Sequence, residues 1–223
     1  KILYPRAWKI IVNCFENKED LMDFLWMNQD KIEVIYNPID KENIKQLKLE
    51  KIWSDIKDKI KWKKVFITVG SLKPLKNHNK IISALKLLYD NTSKNWIYLI
   101  IWDWSERKDL ELLTHNLWLE RNIVFLWKQK NVFKYLNISD LFLYASEVEW
   151  FPNVLLEARE IWIPIITSDF KSWAKEIVLW KYDKGIWNKF IYPYQSKHWF
   201  LLDLYEYENQ FLEVLRNIEN WLI

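Results

Sequence analysis

Glycine is nearly absent from this chain while tryptophan is abundant, and this limits the turns that the backbone can make. The 223 residues include 2 glycines and 16 tryptophans, whereas glycine normally supplies about 7% of a globular chain and many of its tight turns. Trp102, Trp127 and Trp162 all stand where a turn is expected. We therefore interpret many of the tryptophans as glycines misread in translation, as happens where UGA encodes glycine but is decoded as tryptophan. The alternative is a genuinely tryptophan-rich protein, whose excess should fall on apolar faces instead of turns.

The composition favours a globular protein and argues against several classes of function. Apolar residues make up 50% of the chain, and 33 basic residues are interspersed with 30 acidic ones. This even mixture lacks the clustered basic face of a nucleic-acid binder. Cys14 is the only cysteine, so we expect no disulfide and a reducing, cytoplasmic environment. His78, His115 and His198 are far apart in sequence, and we expect no metal site.

Short β-branched runs alternate with amphipathic stretches along the chain, a pattern typical of a parallel sheet with crossover helices. We expect an α/β fold with a Rossmann-like, doubly wound parallel sheet. Strands are predicted at 9–12, 33–36, 65–69, 97–101, 123–126, 141–144 and 163–167. Helices are predicted near 17–27, 41–61, 81–89, 106–117, 132–136, 154–161 and 211–218. The stretch 179–200 shows no clear period, so no element is predicted there.

The loop after the predicted strand 65–69 combines a glycine turn with lysines. Gly70 and Ser71 follow the strand, and Lys73 and Lys76 precede the next helix. Ammonium groups beside the free amides of a helix start suit a phosphate group. An ordinary strand-to-helix turn is the alternative, and the ending of a P-loop is missing.

A second loop leads into the predicted helix 154–161. Pro152 suits a first helical turn, where its missing N–H costs nothing. The amides of Asn153, Val154 and Leu155 would then be free to bind an anion.

Two carboxylates, Glu149 and Glu157, flank this helix start. They would repel a phosphate in direct contact, so we expect them to accept hydrogen bonds from sugar hydroxyls. The alternative is a solvated acidic helix start, which complements the helix dipole.

Residues 149–158, E-W-F-P-N-V-L-L-E-A, resemble the Glu-x7-Glu signature of the retaining glycosyltransferases of family 4, normally written E-G-F-P-N-x-x-L-E-A. The likeness extends to Y-N-P-I-D at 36–40, which resembles the segment joining the family's two domains, and to T-V-G-S-L at 68–72 with K-N-H at 76–78, which resembles its phosphate loop. It also includes 100–104, 125–127 and 161–164, similar to I-I-G-D-G, F-L-G and x-G-x-P. Five glycines of the family are therefore tryptophan here, which supports misreading: residues 102, 104, 127, 150 and 162.

This resemblance implies the GT-B architecture, in which two Rossmann-like domains face each other and the C-terminal one holds most of the sugar-nucleotide donor. Only that domain would be complete here. We expect residues 1–37 to be a remnant of the N-terminal acceptor domain and linker, 38–205 the nucleotide-sugar-binding domain, and 206–223 a closing helix.

The resemblance also implies a role for each loop. Lys76 would pair with the donor diphosphate, Glu157 would hold the ribose hydroxyls, and Glu149 the donor sugar, while the amides after Pro152 would stabilise the departing phosphate. Family members commonly have arginine where this chain has Ser71, which removes one cation. Lys76 and Glu149 are the expected catalytic residues. The expected substrate-binding residues are Gly70, Ser71, Trp150, Phe151, Pro152, Asn153, Val154, Leu155 and Glu157.

The function so implied is transfer of a sugar, preferably from a UDP-sugar, to a polysaccharide or lipid-linked acceptor of the cell envelope with retention of configuration. No metal or cofactor is expected beyond the donor substrate. The fragment alone would be inactive, and the missing N-terminal domain is the part that could contact the inner face of the membrane. Three alternatives stay open: a non-catalytic nucleotide-sugar-binding fragment, a sugar-nucleotide epimerase of the same fold, and a hydrolase using Glu149 and Glu157.

Overall fold

A computed structural model describes the chain over residues 6–91, 94–102, 105–149, 152–170, 174–179, 191–196 and 199–222, with side chains described at all of these except 178, 179 and 218–222. The strands are β1 (Ile10–Val12), β2 (Ile32–Val34), β3 (Lys64–Val69), β4 (Trp96–Ile101), β5 (Ile123–Leu126), β6 (Leu141–Tyr144), β7 (Ile165–Ser168), β8 (Tyr194–Ser196) and β9 (Trp199–Leu202). The helices are α1 (Phe15–Leu25), α2 (Lys41–Leu47), α3 (Ser54–Ile60), α4 (His78–Asn91), α5 (Arg107–Asn116), α6 (Phe133–Leu136), α7 (Asn153–Glu160), α8 (Ala174–Leu179) and α9 (Tyr207–Leu222).

Most described strands belong to one sheet with the order β5-β4-β3-β6-β7-β9-β8. Its neighbours pair in parallel except β8 with β9, which are antiparallel. From β3 the chain adds β4 and β5 on one side and then returns to add β6 and β7 on the other. The predicted doubly wound α/β fold is confirmed, with its topological switch point between β3 and β6.

Helices cover both faces of this sheet, as a parallel sheet requires. On β3, Val65, Ile67 and Val69 face one buried cluster while Phe66 faces the other. The two clusters hold β3 rigidly between them, and this fixes where the loop after the strand emerges.

A second, smaller sheet pairs β1 and β2 in parallel and is packed by α1. It is joined to the rest by the linker 35–40. The domain boundaries after residues 37 and 205 stay predictions. Among the described residues, no helix combines the length and apolar character needed to cross a bilayer.

The single helix predicted over 41–61 is wrong, because the segment forms two helices, α2 and α3. The side chain of Asn131, from a distant loop, donates a hydrogen bond to the carbonyl of Leu47 at 2.8 Å. This contact satisfies a carbonyl at the end of α2. The Leu47 carbonyl also accepts from the N–H of Glu50 at 3.2 Å, so the end of α2 combines a local turn bond with a tertiary contact that the local pattern does not contain.

Several tryptophans adopt backbone conformations with positive φ, which glycine usually occupies. Apart from Asn77, the described non-glycine residues with positive φ are Trp26, Trp62, Trp102, Trp118 and Trp162, with φ of 56°, 63°, 152°, 60° and 67°. After α5, Trp118 N–H bonds to His115 O and the next N–H to Thr114 O. This pair of bonds is a Schellman motif, whose left-handed position is usually glycine.

Candidate functional site

A cavity of about 560 Å³ opens at the carboxyl end of the sheet, beside the switch point between β3 and β6. Open parallel sheets bind ligands at this place. Seven of the residues expected from the sequence line the cavity: Gly70, Lys76, Glu149, Pro152, Asn153, Val154 and Glu157. The fold thus brings the two predicted loops together around one space, although they are more than 70 residues apart in the chain.

Lys76 is held over the cavity by a turn of 3-10 helix, Pro74–Lys76, that precedes α4. Asn77 follows in the left-handed conformation, with φ of 49°, and redirects the chain into the helix. The Lys76 ammonium forms an ion pair with Glu149 and lies 3.3 Å from the hydroxyl of Tyr144. Both charged side chains are largely buried, so their attraction is little screened by solvent.

The start of α7 faces the same cavity. Pro152 is the N-cap residue, and the helix begins at Asn153. The first amides of a helix have no carbonyl partner within it, which leaves Asn153 and Val154 as the donors nearest the cavity.

The expectation of a free amide at Leu155 is wrong. Its N–H donates to the carbonyl of Pro152 at 2.9 Å, and its side chain is buried in the core. The early 3-10-type bond tightens the first turn and removes one of the three expected donors.

Glu157 lies one turn into α7 on the face that lines the cavity. Burial raises the pKa of its carboxyl above the ordinary value, since removal from water disfavours the charged form. A partly desolvated carboxylate is a strong acceptor for ligand hydroxyl groups.

Gly70 and Ser71 follow β3 but differ in what they offer. An added Cβ at Gly70 would meet no atom within 4 Å, so the backbone there faces open space. Ser71 lies next to the lining, and its carbonyl faces Nε2 of His78 at 3.2 Å. Trp150 and Phe151 lie outside the described residues, and their expected roles stay predictions.

His78 contacts the backbone of the loop that follows β3. It is almost fully buried, and burial, aided by the charge of Lys76, lowers its pKa to about 4. The imidazole is therefore neutral at physiological pH, and we assign the proton to Nε2, which donates to Ser71 O.

Sequence reasoning missed several lining residues, above all Tyr144, Lys128 and Lys130. Tyr144 is the last residue of β6, and the two lysines follow β5. The rule that ligands bind where parallel strands end would have identified all three. Lys76, Lys128 and Lys130 bring three positively charged side chains to the lining of the cavity.

The linker touches the site directly. The Asn37 amide donates to Asn153 Oδ1 at 2.9 Å, and Lys41 pairs with Glu160 of α7 at 3.0 Å. The segment that connects the small sheet to the large one is therefore attached to the helix whose first amides line the cavity.

A parallel α/β sheet with lysines, carboxylates and a helix N-terminus at its switch point is typical of proteins that bind phosphorylated nucleotides. The family model described as Glycosyl transferases group 1 matches residues 50–195. The chain belongs to this family.

One relative is N-acetylgalactosamine-N,N'-diacetylbacillosaminyl-diphospho-undecaprenol 4-alpha-N-acetylgalactosaminyltransferase of Campylobacter jejuni. It is 34% identical over 176 residues, which are 79% of this chain and 45% of that protein. The chain thus spans about half the length of this relative.

Solved structures share the fold. Anabaena Alr3699/HepE in complex with UDP aligns with a TM-score of 0.72 and 19% identity over 96% of this chain and 56% of that one. The lipopolysaccharide outer core galactosyltransferase WaaB aligns with a TM-score of 0.68 and 21% identity over 97% and 54%. The fold is that of the GT-B glycosyltransferases.

Proposed function

We propose that this chain is the donor-binding half of a retaining glycosyltransferase that uses a UDP-sugar. The observation that carries the proposal is the meeting of Lys76, Glu149, Glu157 and the α7 amides around one cavity at the switch point. The cavity, of about 560 Å³, is within the range of roughly 300–1,000 Å³ of small-molecule sites. The UDP bound to the Anabaena structural neighbour supports the choice of nucleotide.

In this proposal the charges of the cavity act on the leaving group. As the bond between the sugar and the diphosphate breaks, negative charge grows on the phosphate oxygen. Lys76 and the first α7 amides stabilise that charge, since preformed donors cost no reorganisation during the reaction. The leaving oxygen then takes the proton of the acceptor hydroxyl, which attacks from the same face and retains the configuration.

Glu157 and Glu149 hold the two ends of the donor. Glu157 accepts hydrogen bonds from the ribose hydroxyls, and Glu149 accepts them from the sugar. Their charge would repel the diphosphate in direct contact, whereas hydroxyl groups supply the donors that a carboxylate needs.

We further propose a polysaccharide or lipid-linked acceptor and a site of action at the cytoplasmic face of the membrane. The undecaprenol-linked acceptor in the name of the Campylobacter relative supports this choice. The acceptor would bind outside the large sheet, on the unit to which β1 and β2 belong.

Glu157→Gln tests donor binding, with Glu160→Gln as its matched control. Glu160 is on the same helix but pairs with Lys41 and does not line the cavity. By calorimetry, Glu157→Gln should weaken UDP binding about tenfold or more, as expected for loss of hydrogen bonds to a charged group. Glu160→Gln should leave the affinity unchanged. Equal affinities for both variants and the unaltered protein would reject this site.

The pH dependence of UDP binding gives a second readout. Because burial raises the pKa of Glu157, its carboxylate takes up a proton at a higher pH than an ordinary glutamate does. As the pH is lowered, UDP affinity should therefore begin to fall at a higher pH than an ordinary glutamate would cause, and Glu157→Gln should flatten this part of the fall.

We also infer that the tryptophans in left-handed backbone stand at glycine positions. The φ values of Trp26, Trp62, Trp118 and Trp162 and their high exposure support misreading, since a side chain that packs on nothing gains no stability from its size. Trp96 is different, because it is buried in the core and stacks on Phe66. Peptide mass spectrometry on the native source should find glycine at 118 and 162 and tryptophan at 96; tryptophan at all three would refute the inference.

A further inference from the structure

Tyr144 joins the two residues expected to be catalytic. It is the last residue of β6, and its ring is buried between Phe142, at 6.1 Å, and Phe170, at 5.9 Å between ring centroids. Its hydroxyl lies 3.3 Å from Lys76 Nζ and is hydrogen-bonded to Glu149 Oε1. A rigid strand and two aromatic contacts thus fix the position of one hydroxyl between an ammonium and a carboxylate.

The chemistry of the three groups sets the direction of each hydrogen bond. An ammonium only donates and a carboxylate only accepts, so the Tyr144 oxygen accepts from Lys76 and its proton is donated to Glu149. Burial and the charge of Glu149 both raise the pKa of Tyr144 well above its ordinary value. The hydroxyl therefore keeps its proton at every pH at which the protein would act.

Donor binding would take Lys76 away from both Glu149 and Tyr144, while the hydrogen bond between Tyr144 and Glu149 would stay. In the structure, Lys76 is paired with Glu149. To bind a diphosphate it must turn away, and the Glu149 carboxylate then loses a cation in a largely buried place. The hydroxyl of Tyr144 remains bound to it, because the phenol is held by its ring and not by Lys76.

We propose that Tyr144 is a positioning residue that keeps the Glu149 carboxylate directed at the donor sugar when Lys76 moves to the diphosphate. The role rests on the proposed function of the cavity. It assigns to Tyr144 an effect on the sugar half of the donor and none on the nucleotide half.

Tyr144→Phe tests this role, because it removes the hydroxyl and keeps the ring. Calorimetry on the protein compares UDP with the most tightly bound of UDP-glucose, UDP-galactose and their N-acetyl counterparts. The variant should lose about tenfold in affinity for the UDP-sugar while its affinity for UDP stays within about twofold. In the protein that contains this chain with its acceptor-binding half, kcat should fall more than the KM for the donor changes.

Tyr207→Phe is the matched control. Tyr207 is fully buried on α9, and its hydroxyl has no hydrogen-bond partner among the described residues. Its removal should change neither affinity, and thermal unfolding should show both variants folded. If Tyr144→Phe loses affinity equally for UDP and the UDP-sugar, or for neither, the proposed role of Tyr144 is overturned while the proposed function stands. Failure of the unaltered protein to bind UDP overturns the proposed function as well.

Discussion

Trp118 stands one residue beyond Leu117, the C-cap of α5, in the left-handed conformation that closes the helix. That conformation costs a residue with a Cβ about 1–2 kcal/mol. The Trp118 side chain is 77% exposed, so little packing offsets the strain. We predict that Trp118→Gly raises the free energy of unfolding by about 1 kcal/mol, measured by urea denaturation.

Trp96→Gly is the opposite case and serves as the control. Trp96 is 2% exposed, in the middle of the core, and its removal leaves a cavity. It should lower the free energy of unfolding by at least about 3 kcal/mol. If the Trp118 change were also destabilising, the left-handed position would not be a glycine position.

His78 gives the protein a pH-dependent stability. Its pKa is lowered from 6.5 to about 4 in the folded state, so the unfolded chain binds the proton first as the pH falls. Neutral His78 contributes its full stabilisation above the pKa of the unfolded chain. As the pH falls toward the pKa of the folded state, this stabilisation is lost, and the total loss is about 3 kcal/mol. Urea denaturation from about pH 7 to about pH 4.5 should show this loss.

His78→Gln should reduce the slope of stability against pH, since glutamine does not titrate. The exposed His115, paired with Glu120, supplies the control His115→Gln, which should keep most of the slope. The same slope in all three proteins would show that His78 is not the group responsible.

At the scale of elements, α8 holds the small sheet through one carboxylate. Glu176 accepts hydrogen bonds from the N–H groups of Phe15 and Glu16 at the start of α1, at 3.3 and 3.0 Å, and from the hydroxyl of Tyr36 at 3.0 Å. These donors come from the start of α1 and from the segment just after β2, within the N-terminal unit formed by β1, α1 and β2. One buried side chain therefore connects that unit to the large sheet.

Glu176→Ala should leave three donors without their acceptor and lower the free energy of unfolding by about 2 kcal/mol. Amide exchange at Phe15 and Glu16 should become faster. Glu33→Ala is the control, because the contact of its side chain with the described residues is an exposed pair with Lys9, and such pairs contribute little. Unchanged exchange in the Glu176 variant would refute the connection.

The sequence predicted helices and strands correctly where a local apolar pattern marks the buried residues. It failed where the end of a helix involves a contact with a distant residue. β3 and β4 follow from apolar runs alone, since each is buried on both faces. At the end of α2, one hydrogen bond comes from Asn131, which is 84 residues away from Leu47, and a local pattern contains no such partner. The bond between Leu155 and Pro152 was likewise hidden, because Pro152 was assigned to the first turn and is the N-cap.

At the scale of the whole molecule, topology explains why the candidate site was largely predictable. Gly70, Lys76, Glu149 and Glu157 follow or flank predicted strands, and the doubly wound order brings those strand ends together. The ion pair of Lys76 with Glu149 could not be read from the sequence, because it depends on how far two loops reach across the switch point. Tyr144 was missed because an aromatic residue at the end of a buried strand has the same sequence pattern as a residue that only packs in the core.

The central claim is that the cavity at the switch point holds the donor nucleotide. A crystal structure of the protein with UDP tests it most directly. The diphosphate should lie between Lys76 and the first amides of α7, with the ribose hydroxyls on Glu157 and Lys76 released from Glu149. A nucleotide bound elsewhere, or bound here with the Lys76–Glu149 pair intact, would contradict the account.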